Sequence, residues 1–170
     1  GQGGIWHLAL AGLMNDLKIP QATIPWVPSN GAAPAMQDLV AGGVDMVTCS
    51  LPEARALIEA GKARPLAVMD DKRTALFPNV PTMQEAIGVN YTVAAWRGIA
   101  APKGLPADIT TKLNAEINKA LQSAELRERL GRLGAEVAVA NTPAQFVEFN
   151  RNELAKWAKI VKDGNIKVEQ

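Results

Sequence analysis

Cysteine occurs once, at Cys49, and histidine once, at His7. A single thiol excludes an intrachain disulfide and every multi-cysteine metal site. One histidine without a cysteine cluster cannot supply a common zinc site, so no metal is expected. Charge of one sign is not in excess: 18 basic and 17 acidic residues leave a net charge of +1. The basic residues are scattered and aromatics do not interleave with them, which argues against a nucleic-acid surface. No apolar run approaches the ~20 residues of a membrane span. No glycine-rich nucleotide fingerprint or other cofactor motif is present, so no cofactor is expected. The lone cysteine suits the cytosol, and equally a periplasmic protein that folds without disulfides.

What is present is a chain of 170 residues, 48% of them hydrophobic, enough for one full domain or for one domain and part of another. It opens on Gly1-Gln-Gly-Gly4, a glycine loop leading into a helical pattern over 5–17, with Ile5, Leu8, Ala9, Gly12 and Leu13 on one face. Domains rarely begin on such a loop without a strand before it, so the expectation is a fragment of a longer protein. Short apolar runs at 22–27, 44–49 and 65–69 read as strands of a parallel sheet. Helices are expected at 34–41, from Ser50 to before Gly61 and from Thr82 to Gly88. Ser50 with Glu53, and Thr82 with Glu85, have capping-box spacing. The alternation predicts an α/β layer structure. Residues 91–101 read as a long extended segment able to run from one domain to another. Beyond it come leucine and isoleucine rows, a short strand at 135–139, and a last helix opened by Thr142, Pro143 and Gln145.

The stretch 27–42 is the strongest candidate site. Its loop Ser29-Asn30-Gly31-Ala32-Ala33 runs from a strand into a helix, with Pro34 expected at the first helical position and Gly42 as the stop. Free N–H groups and the helix dipole at such a junction attract a carboxylate or phosphate, and small side chains let the anion reach the main chain. The alternative is an ordinary turn that binds nothing. His7 lacks an evident nucleophile and orienting acid, and a helix-start structural role competes with catalysis. Cys49 reads as a small core residue, with a thiol activated by the helix start at Ser50 as the alternative. A charge run at 70–73 reads as a solvated loop. Trp96 and Arg97 fall on opposite faces of the long extended segment.

The order of signatures resembles the substrate-binding receptors of tripartite tricarboxylate transporters, the Bug or TctC-like proteins. The pieces are Gly3-Gly-Ile-Trp-His-Leu-Ala9, Val27-Pro-Ser-Asn-Gly-Ala-Ala-Pro-Ala35, DLVAGGVDM at 38–46, Ser50-Leu-Pro52, AGKARPLAV at 60–68, FPNVPTMQEA at 77–86, WRGIAAPKGLP at 96–106, LNAEINKAL at 113–121 and Leu133-Gly-Ala-Glu136. The resemblance implies a type II periplasmic-binding-protein-like α/β lobe with a parallel-rich sheet flanked by helices, plus a C-terminal helical return segment. Residues 1–90 would be the second lobe, and 91–170 the crossover strand and the helices that complete the first. It implies a periplasmic receptor, without enzymatic activity, that captures a small organic carboxylate and hands it to membrane permease subunits. Ligand contacts would come from Gly3, Gly4, Ile5, Trp6 and His7, from Ser29, Asn30, Gly31, Ala32 and Ala33, and from Ser50. Ile5 and Trp6 stand where the family usually carries small hydroxyl residues, which favours a ligand with an apolar or aromatic body. Without a first lobe, apolar surface on 91–170 would be open to dimerisation or strand exchange. Two other readings stay open from the residues alone: a thiol hydrolase using Cys49 and His7, and a protein-binding regulatory module.

Overall fold

The computed structural model describes residues 1–167. Seven α-helices follow one another: α1 Ile5–Asp16, α2 Ala32–Val40, α3 Leu51–Glu59, α4 Met83–Ile87, α5 Ala107–Leu121, α6 Ala124–Arg132 and α7 Pro143–Asp163, with a single 3-10 turn at Gln21–Thr23. No helix among the described residues is long and apolar enough to cross a membrane. The contacts divide the chain into two units. One is Gly1–Ala95 with the segment from Lys156 on; the other is Trp96–Ala155.

The first unit is built on α1. This helix is apolar nearly all round, and such a helix is stable only when covered on every side. His7 through Met14 are all buried, so the apolar face extends past the expected stripe to Leu10, Ala11 and Met14. Leu13 packs with Met83 and Tyr91, and Leu17, Met69, Val89 and Val93 close around them. The Tyr91 hydroxyl donates to the Ala9 carbonyl at 2.9 Å. Gly12 faces that hydroxyl so closely that a Cβ there would lie 2.2 Å from it. Asn15 Nδ2 donates to Ile160 O at 3.2 Å, tying the end of α7 to α1.

The capping boxes form where the spacing places them. At α4, Thr82 N–H donates to Glu85 Oε2 at 2.8 Å and Glu85 N–H to Thr82 Oγ1 at 3.2 Å. Gly88 closes the helix in the left-handed region, φ 74°. Arg73 does not stay in solvent with its charge run. Its guanidinium reaches Glu85 at 2.9 Å and the Pro78 carbonyl at 3.1 Å, and holds the Glu85 carboxyl below its ordinary range. Replacing the buried Thr82 by alanine removes an acceptor that no neighbour supplies. The expected loss is ~1 kcal/mol, read as a lower urea midpoint with an unchanged slope.

The expected sheet is not there. No strand ladder forms among the described residues; the only pairing is one parallel bridge, Val68 with Thr82. Segments 22–27, 44–49, 65–69 and 135–139 are turn or extended backbone, and the first begins as the 3-10 turn. Val93 N–H donates to Met69 O at 2.9 Å, the start of a ladder and no more. The physical reason is that an apolar run reports a wish for burial. A strand exists only where a second extended segment lies ~4.8 Å away to receive its hydrogen bonds. The α2 start is a second correction. The helix begins at Ala32, so Pro34 is its third residue, still in the first turn, where a missing N–H costs nothing.

In the second unit Trp96 packs edge-on against Phe146 and Phe149, with ring centres 5.7 and 5.1 Å away. Gly98 lies under the Phe146 ring, where a Cβ would come within 2.3 Å of Cζ. Asn118 donates to Asn141 O at 2.9 Å and pins the 135–142 segment to α5. Thr142 and Gln145 open α7 with reciprocal bonds of 2.8 and 3.2 Å. The expected core stripes are only partly covered here: Ile117, Leu121, Leu126 and Leu130 are half-buried. Ile109, Leu113, Leu133 and Leu154 are all exposed. Helical periodicity identifies the apolar face correctly, but this short unit supplies no second layer to bury it fully.

Candidate ligand-binding loops

Two helix starts in the first unit lack a side-chain cap. At α1 the cap residue is Gly4, with extended backbone, and no side chain bonds the first-turn N–H groups of Ile5, Trp6 and His7. At α2 it is Gly31, whose φ of 111° with ψ of 178° belongs to a region that only glycine enters without strain. Ala32 is buried beneath the turn, while Asn30, Gly31 and Ala33 are exposed. The Gly1 amino group donates to the Ser29 carbonyl at 2.9 Å, which joins the two loops. The Thr48 hydroxyl donates to the Trp6 carbonyl at 2.8 Å and draws in the third stretch.

The third helix start differs. The Glu53 carboxylate accepts from Ser50 N–H at 3.0 Å and from the Ser50 hydroxyl at 2.6 Å. The Ser50 proton is therefore committed to the chain's own carboxylate. Of the residues singled out in sequence, the α1 and α2 starts present open N–H groups, and Ser50 presents a filled cap.

His7 is fixed rather than free. Its Nδ1 accepts from Gly3 N–H at 2.9 Å, which leaves Nε2 to carry the proton of the neutral ring. The ring lies 4.8 Å from Trp26, tilted by 34°. Burial lowers its pKa from the ordinary 6.5. The folded chain thus favours neutral His7. The resulting stability is present above pH ~6.5 and is lost as pH falls through the folded value. Melting temperature should decline on acidification below that point. His7→Gln, which keeps an acceptor for Gly3, should flatten the decline.

A cavity of about 350 Å³ opens beside His7, walled by Leu10, Ala11 and Met14 of α1, by Gln21, Ile24 and Trp26, and by 164–167. Trp26 Nε1 is buried and without a partner among the described residues. Cys49 is half-buried, its sulfur 4.0 Å from that of Met36. Burial and the Glu53 charge push its thiol up to about 11. Among the described residues no group of His, Cys, Asp and Glu side chains is placed to hold a metal. Sequence reasoning missed Thr48 and Trp26. A hydroxyl inside the apolar run 44–49 was the available signal for the first; the second carried none, because its neighbour His7 is distant in sequence.

Two uncapped helix starts in one unit can offer free N–H groups to an anion. The model of the tripartite tricarboxylate transporter family receptor matches residues 1–166, and the chain belongs to that family. This is a family of solute-binding receptors rather than enzymes. Three solved structures share its fold. Rpa4515 of R. palustris, solved with adipate, is 32% identical with a TM-score of 0.82, covering 96% of this chain and 53% of that one. The periplasmic binding protein BugD is 30% identical with a TM-score of 0.76, covering 96% and 54%. MatC from Rhodopseudomonas palustris, with bound malate, is 31% identical with a TM-score of 0.71, covering 93% and 53%. The chain spans about half the length of the curated relatives it matches, at 50% and 45% of two that are 35% and 34% identical.

Proposed function

We propose that this chain supplies one jaw of a periplasmic solute-binding receptor that captures a small organic carboxylate for a tripartite tricarboxylate-type permease. Residues 1 to about 90 belong to the second lobe, and the later helices contribute to the first. The observation that carries the reading is the pair of uncapped helix starts, α1 at Gly4 and α2 at Gly31, joined through Gly1 and Ser29. Each offers N–H groups and a positive dipole end to an anion without a basic side chain. Adipate and malate in the relatives' structures support a dicarboxylate as the ligand class. Ile5 and Trp6 at the α1 start favour a ligand with an apolar middle. The opposing jaw and the permease lie outside this chain.

Titration calorimetry on a receptor carrying this chain together with the half it does not span is the direct test. Saturable heat is expected with C4 to C6 dicarboxylates and none with the matching diamines; equal response to both would end the reading. The surroundings of Cys49 weigh against the hydrolase alternative. A thiol pKa of about 11 leaves on the order of one thiolate in ten thousand at pH 7. Iodoacetamide should label Cys49 more slowly at pH 7 than it labels glutathione. Fast labelling would reopen that alternative.

A further inference from the structure

Of the asparagines in the sequence, Asn30 alone is followed by glycine. Both residues of the pair are exposed. Among the described residues, neither the Asn30 side chain nor the Gly31 N–H has a protein partner. A Cβ built on Gly31 would meet no atom within 4 Å, so the space over the Asn30–Gly31 peptide is open. Other asparagines are engaged. Asn15 Nδ2 donates to Ile160 O at 3.2 Å, Asn118 Nδ2 to Asn141 O at 2.9 Å and Asn150 Nδ2 to Phe146 O at 2.9 Å.

A free side-chain amide next to an unhindered main-chain nitrogen can react with it, and glycine is the residue that leaves that nitrogen unhindered. The Gly31 nitrogen loses its proton to solvent hydroxide and attacks Asn30 Cγ. The N–Cγ bond forms, the Cγ–Nδ2 bond breaks, and ammonia leaves with a proton taken from solvent. Water then opens the cyclic imide. Opening at Cγ yields aspartate. Opening at the main-chain carbonyl of residue 30 yields isoaspartate, whose main chain runs through the side-chain carbon. In sum, an amide and a water become a carboxylic acid and ammonia, with no change of oxidation state. The positive end of α2 favours the nitrogen anion on which the attack depends.

We propose that Asn30–Gly31 is a spontaneous deamidation site, and that its conversion ages the receptor by placing a carboxylate beside the α2 start. Either product brings negative charge next to the open N–H groups of α2, where it repels an incoming carboxylate and competes for the same donors. Isoaspartate also lengthens the main chain just before Gly31. The chemistry at Asn30 rests on the loop alone; its effect on binding rests on the ligand reading.

Peptide mapping by mass spectrometry of this chain, aged in mildly alkaline buffer, tests the first part. The peptide that holds 30–31 should deamidate at least ten-fold faster than any other asparagine peptide, and both aspartate and isoaspartate should form. Asn30→Gln, whose longer side chain closes an imide far more slowly, should stay unconverted there. A rate no higher than that of the other asparagines, or aspartate without isoaspartate, would overturn the proposal. For the second part, a receptor carrying this chain together with the half it does not span is aged in the same way and titrated with adipate. Its affinity should fall at least ten-fold as conversion completes, while the aged Asn30→Gln receptor keeps the affinity it had when fresh. Unchanged affinity in a fully converted receptor would overturn the link to binding. A fresh receptor that binds no dicarboxylate would overturn the ligand reading, and with it the effect on binding, while Asn30 still converted.

Discussion

Replacing Gly12 by alanine should destabilise the first unit by about 3 kcal/mol, the upper part of the range for overpacked cores. The added Cβ would lie 2.2 Å from the Tyr91 hydroxyl and 2.8 Å from Ile160 Cδ1. Neither neighbour can withdraw cheaply. The hydroxyl is bonded to Ala9 O, and the backbone of Ile160 is held by Asn15, whose Nδ2 donates to Ile160 O. The melting temperature should fall by roughly 10 °C. Tyr91→Phe removes the obstructing oxygen at the cost of one hydrogen bond, about 1 kcal/mol. The double variant should therefore be more stable than Gly12→Ala alone. Additive losses in that cycle would show that the contact does not govern the site.

The second large effect concerns binding and is expected to leave stability intact. Ala33 is exposed at the second position of α2, beside the uncapped start. An aspartate there would place a carboxylate where the ligand's carboxylate is proposed to sit, and would gain from the dipole about 0.3–1 kcal/mol. In the complete receptor, Ala33→Asp should weaken dicarboxylate binding at least 100-fold while the melting temperature holds or rises. A variant that binds normally would move the site away from α2. Ala33→Asn, which caps without charge, should fall between the two.

How much of this was legible in the sequence follows the range of the interactions. The helices with paired caps were readable because Thr82 with Glu85, and Thr142 with Gln145, act within three residues. Strands were not, because 44–49 announces only that it is apolar, and a strand needs a second extended segment beside it to receive its hydrogen bonds. The α2 start was misplaced by two residues because Pro34 is a stronger sequence mark than the φ of Gly31, which is visible only in three dimensions. Tyr91 was read as part of an extended run. Its contact with Gly12 crosses most of the first unit and leaves no local trace. The candidate loops were found through the resemblance and their small residues. That Ser50 is already occupied could have been taken from the capping box itself, since a hydroxyl and a carboxylate that satisfy each other have little left for a third party.

That occupied cap has a wider meaning. Glu53 on Ser50 is a carboxylate received at a helix start by one main-chain N–H, at 3.0 Å, and one short hydroxyl bond. The chain thus places one of its own carboxylates at the α3 start, whereas the α1 and α2 starts have no side-chain cap. On the proposed reading, an anion near these helix starts would meet open N–H groups at α1 and α2 and the chain's own carboxylate at α3. On that reading the Glu53 charge would repel a dianion from the α3 start. Glu53→Gln would remove that repulsion without emptying the cap.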